Sequence, residues 1–73
     1  MTQADKTALA LVTNHCSEEP LSTESVMNGE KPMEVIEALC RLCGALVEQV
    51  ANAVDMKPDD VLEIVGAFFA EET

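Results

Sequence analysis

Two cysteines separated by an arginine and a leucine, Cys40-Arg-Leu-Cys43, have the spacing of zinc ligands and of dithiol redox pairs. A zinc site of this kind needs a second ligand pair at a compatible distance. The chain offers just His15 and Cys16, which are adjacent and ill placed to reach one ion together. A redox dithiol is activated at a helix N-terminus, where the thiolate is stabilised, whereas Cys40 and Cys43 fall in mid-helix. Within a helix, Cβ atoms three residues apart lie about 5–6 Å from one another, well beyond the roughly 3.8 Å that a disulfide prefers. The pair therefore reads as two small apolar residues of a core. His15 is the one histidine, so any Ser/His/Asp or Cys/His arrangement would have to form around it, and Cys16 beside it is too near in sequence for nucleophile–base geometry. The carboxylate pairs Glu18-Glu19, Asp59-Asp60 and Glu71-Glu72 are adjacent and read as solvated. The expectation is a protein with no catalytic residues, no metal and no cofactor, and hence not an enzyme.

The elements that carry these residues are helical. A first helix is expected from about Ala4 to Asn14, with Ala8, Leu9, Leu11 and Val12 as its apolar positions, in an N-terminal segment 1–15. Residues 16–31 are rich in Ser, Glu, Pro and Gly and read as a polar, acidic connector. Leu21, Val26 and Met27 within it are candidates to dock on a core. Its length exceeds that of most connections in compact domains, which points to mobility or a binding role. The rest of the chain, 32–73, reads as a helical hairpin. Pro32 suits a first helical turn, and the helical pattern continues from there to about Val54. A tight break at Asp55, Met56 and Lys57 follows, and Pro58 opens a third helix to about residue 71. Asp59 and Asp60 in its first turn favour the helix dipole. The fold class is all-α.

The long helix carries an excess of apolar surface. Ile36, Cys40, Cys43, Val47, Val50 and Val54 are spaced 4, 3, 4, 3 and 4 residues apart, a heptad seam. Val35, Leu39, Leu42, Leu46 and Ala53 form a second row beside it, broken by Gln49. An ordinary surface helix has one apolar stripe of about 100°; this one has nearly twice that. On the last helix Val61, Leu62, Ile64, Val65, Phe68 and Phe69 cover at least half the circumference. One long and two shorter helices offer too little to hide both faces, and exposed apolar patches of that size are rare on soluble monomers. The surplus predicts a homo-oligomer, most simply a two-fold bundle. Its interface would be drawn from Ile36, Leu39, Cys40, Cys43, Leu46, Val47, Val50 and Val54 on the long helix, with Leu62, Val65, Phe68 and Phe69 on the last.

Charge bounds the partners. Fourteen acidic residues against four basic ones give a net charge of −10. Binding to a phosphate backbone needs clustered cations, and Lys6, Lys31, Arg41 and Lys57 stand singly. Nucleic acid and anionic membranes are thus disfavoured, and a basic or an apolar protein surface is an acceptable partner. Glu18, Glu19, Glu24, Asp59, Asp60 and Glu63 are the candidate acidic partner surface. No membrane span is expected, because Glu37, Arg41, Glu48, Gln49 and Asn52 interrupt the stretch from Val35 to Val54. With three cysteines and no apolar leader after Met-Thr-Gln-Ala-Asp-Lys, the chain reads as cytoplasmic.

In length and acidity the chain resembles acyl carrier proteins, whose carrier serine follows an Asp at a helix start. Glu24-Ser25-Val26 is the nearest local match, and Gly29 and Pro32 interrupt the helix that should follow. Val50 to Val65 resembles the helix-turn-helix of small repressors, with Asp55 in place of the usual turn glycine. The would-be recognition helix carries Asp59, Asp60 and Glu63, which would face phosphate. The function expected is that of a non-enzymatic, acidic helical interaction protein that self-associates and binds another macromolecule. A small inhibitor or adaptor of the kind phages and mobile elements encode is one such protein. The alternative is an oligomeric carrier or sponge for a small ligand, and a helix-turn-helix DNA binder stands behind both.

Overall fold

In a computed structural model that describes residues 1–72, the chain is all-α, with four helices and no strand among the described residues. The helices are α1 (Gln3–His15), α2 (Thr23–Met27), α3 (Pro32–Val54) and α4 (Pro58–Glu72). They form two compact units, Met1–Leu42 and Cys43–Thr73, so the division falls inside α3.

The first unit holds α1, α2 and the start of α3. Helix α1 begins one residue before the expected Ala4 because Thr2 caps it. The Thr2 hydroxyl accepts from the Asp5 N–H at 3.1 Å, and the Asp5 carboxylate accepts from the Thr2 N–H at 3.0 Å. Two of the orphan donors at the helix start are satisfied reciprocally. Thr7 and Ala8 of α1 are buried, as are Val35 and Ala38 of α3. Of the other apolar positions expected on α1, Leu11 and Val12 are half-buried and Leu9 is exposed.

The connector is not irregular throughout. Ser22 caps α2, accepting from the Ser25 N–H at 3.2 Å, so one and a half turns of helix form where composition suggested loop. The stop is equally local: Asn28 (φ 47°) and Gly29 (φ 80°) are both left-handed, and Asn28 donates to the Glu24 carbonyl. Asn and Gly are the residues that tolerate this region. Of the three expected docking residues, Val26 and Met27 are half-buried and Leu21 is exposed, although its backbone N–H donates to the Asn14 side chain.

The second unit is built from the C-terminal part of α3 and from α4. Asp55 (φ 55°) terminates α3 in the left-handed conformation, and the Met56 N–H donates back to the Ala51 carbonyl at 2.9 Å. That bond closes the helix end. Pro58 then starts α4, with the Lys57 carbonyl accepting from Asp60 at 3.0 Å and Val61 at 3.2 Å. The buried side chains of this unit are those of Ala51 and Val61.

Candidate interaction surfaces

The two apolar rows of the long helix fall on different sides in the first unit but not in the second. In the first unit the inward row is Val35, Ala38, Leu39 and Leu42, buried or half-buried, while Ile36 and Cys40 of the heptad seam are exposed. In the second unit Ala51 is buried and Val47 half-buried, while Cys43, Leu46, Val50 and Val54 are exposed. Ala38 and Ala51 are the inward residues that the row analysis passed over. Alanine at a close helix contact gives little hydropathy signal.

Helix α4 is more exposed still. Val61 alone is buried among its described residues. Leu62, Ile64 and Val65 each keep more than half of their surface exposed, Phe68 keeps 64% and Phe69 70%. Ile64, left out of the expected interface, stands among these. The two aromatic residues of the chain are thus among its most exposed large apolar side chains.

Cys40 and Cys43, expected as core residues, are exposed in the single chain, as is Cys16, and all three thiols are free. No group of three or more His, Cys, Asp or Glu side chains is placed to hold a metal ion among the described residues. No helix among them is long and apolar enough to cross a membrane.

The acidic candidates lie in two places. Glu18 and Glu19 follow α1, and Glu24 lies in the first turn of α2, all exposed in the first unit. Asp59, Asp60 and Glu63 lie in the first turns of α4, exposed in the second. A different carboxylate is engaged in structure. Asp5 accepts from the Arg41 guanidinium at 2.8 Å, joining α1 to α3. That bond first, and the Thr2 N–H second, lower the Asp5 pKa from 3.8 to about 2, and the Arg41 pKa is raised in return. The 36-residue separation of the pair leaves no local sequence signal.

Among the described residues, two concave features lie in the first unit, one of them small and lined by Thr2, Ala4, Glu34, Glu37 and Arg41. Between the last turns of α1 and the connector is an open groove of about 540 Å³, lined by Ala10, Thr13, Asn14, Ser17, Glu19, Leu21 and Val26. Its shape depends on Asn14, whose side-chain amide donates to the Leu21 carbonyl at 2.9 Å and accepts from the Leu21 N–H at 2.8 Å. This pair of bonds fixes the segment between α1 and α2. A seven-residue spacing between Asn14 and Leu21 is not a recognised turn pattern, and sequence reasoning missed it.

Comparison with protein-family models, curated proteins and solved structures finds no match to this chain.

Proposed function

We propose that the chain is a non-enzymatic helical interaction protein that pairs with a second copy through the apolar faces of α3 and α4 and presents its carboxylates to a basic protein partner. The observation that carries this reading is the exposure of Leu46, Val50, Val54, Leu62, Val65, Phe68 and Phe69, all within a unit of two helical segments. Among the described residues of this unit the buried side chains are Ala51 and Val61, one on each segment. Aliphatic and aromatic side chains left in water at this density are the composition of an association surface.

Self-complementarity supports the choice of partner. A second copy carries the same exposed apolar side chains on α3 and α4 and is always available at the concentration of the first.

Salt separates the two kinds of binding. Pairing two chains of charge −10 through apolar faces works against charge repulsion, so raising salt strengthens it. Engagement of a basic partner by carboxylates weakens over the same range. The test is light scattering on the purified chain from low to high salt: a dimer that strengthens with salt supports the reading. A folded monomer at every salt concentration and at micromolar protein overturns it.

A further inference from the structure

We propose that the groove beside α1 in the first unit is the docking site for the basic partner, and that it takes an arginine or lysine side chain presented by that protein. This rests on the reading of a basic partner and gives it a place. The chemistry of the occupant follows from the one acidic side chain of the lining, Glu19, since the other polar side chains are neutral and each already makes a hydrogen bond. The Thr13 hydroxyl donates to the Leu9 carbonyl at 2.8 Å. Both polar atoms of the Asn14 amide are engaged by Leu21. The Ser17 hydroxyl oxygen accepts from the Glu19 N–H at 3.3 Å. The Glu19 carboxylate has no such engagement among the described residues, and Ala10, Leu21 and Val26 supply apolar wall.

An occupant matched to this lining has an apolar stem and a cationic head. Arginine and lysine have that form, with a hydrocarbon stem that packs on apolar surface and a charged end. A second feature favours a cation. Thr13 and Asn14 belong to the last turns of α1, and a helix C-terminus carries partial negative charge. An anionic or phosphate-bearing occupant would meet both Glu19 and that helix end, and a wholly apolar one would leave Glu19 beside hydrocarbon. The Asn14–Leu21 bonds fix the connector against α1 before any ligand arrives, which lowers the ordering cost of binding.

The test is a titration of the full-length, isotopically labelled chain with n-butylguanidinium at physiological salt, followed by amide chemical shifts. Guanidinium without the stem and n-butanol without the charge are run as separate arms. The expected result is saturable shifts at Ala10, Thr13, Asn14, Ser17, Leu21 and Val26, weaker with either half of the probe. Glu19→Gln should weaken binding about fivefold, the scale of one exposed charge pair. Asn14→Ala, which opens the clamp but keeps Glu19, should also weaken it. Equal affinity for Glu19→Gln and the parent chain, or shifts in the groove that do not saturate, overturns the assignment. Saturation at Asp59, Asp60 and Glu63 instead overturns the groove but supports a basic partner. No saturation at any carboxylate counts against both.

Discussion

In Met1–Leu42 four side chains, Thr7, Ala8, Val35 and Ala38, are buried, and the segments that carry them are tied by specific polar contacts. Thr2 and Asp5 close the start of α1, Arg41 joins α3 to Asp5, and Asn14 grips Leu21. In Cys43–Thr73 the buried side chains are Ala51 and Val61, and the longest apolar side chains face outward. All of the side-chain hydrogen bonds named above lie in the first unit. A small unit that cannot bury much apolar area alone is held by caps and clamps, each of which satisfies backbone groups locally. A unit with surplus apolar area and few such devices depends on association for coverage. In one 73-residue chain, then, local polar devices hold the first unit, and the proposed pairing is what would cover the second.

The comparison can be broken most severely at Phe69. Phe69→Glu places a charge in the apolar face of α4 and should weaken self-association at least about a hundredfold, the scale of an interfacial aromatic anchor. Sedimentation equilibrium reads this directly, and an unchanged dissociation constant would remove α4 from the interface. Next comes Val35→Ala in the first unit. Loss of two buried methyl groups there should cost about 2 kcal/mol in denaturant unfolding, by the same amount at every protein concentration. A concentration-dependent loss would show that the first unit also leans on the partner.

A smaller effect is expected at the end of α3. Asp55 sits at φ 55° beside a helix C-terminus, where both its side chain and its charge are unfavourable. Asp55→Gly should raise stability by up to about 1 kcal/mol, measured by thermal unfolding. The smallest effect is that of pH on the tie between α1 and α3. The Asp5 pKa is depressed to about 2 from 3.8, so the folded state holds its proton less tightly than the unfolded chain. Its contribution is complete above the unfolded value and is lost as pH falls toward 2. Asp5→Asn should flatten that part of the stability profile, and a slope unchanged by the substitution would show that other carboxylates produce it.

Much of the architecture was legible from residue order. Pro32 and Pro58 mark the first turns of α3 and α4, and the break at Asp55 to Lys57 marks the turn between them, because proline and left-handed stops act locally. The all-α class follows from the same periodicities. The connector was harder. Its composition of Ser, Glu, Pro and Gly hid α2, although Ser22 followed three residues later by Ser25 is a capping signal at short range. The exposed apolar residues of α3 and α4 were readable as a surplus, since counting faces needs no coordinates. Which of the two rows of α3 turns inward in the first unit was not readable, because both have the right spacing, and the buried Ala38 and Ala51 stand in neither row. The Asp5–Arg41 and Asn14–Leu21 contacts, and with them the groove, depend on chain segments meeting in space. Nothing in periodicity encodes that.

If the proposed pairing holds, the second unit owes its order to a second copy while the first unit does not. Amide hydrogen exchange measured at roughly 1 µM and again at roughly 100 µM protein tests it most directly, because linkage to association makes protection depend on concentration. The α4 amides should slow markedly across that range while those of α1 keep their rates. Equal protection of α4 at both concentrations, at the level found in α1, would contradict it.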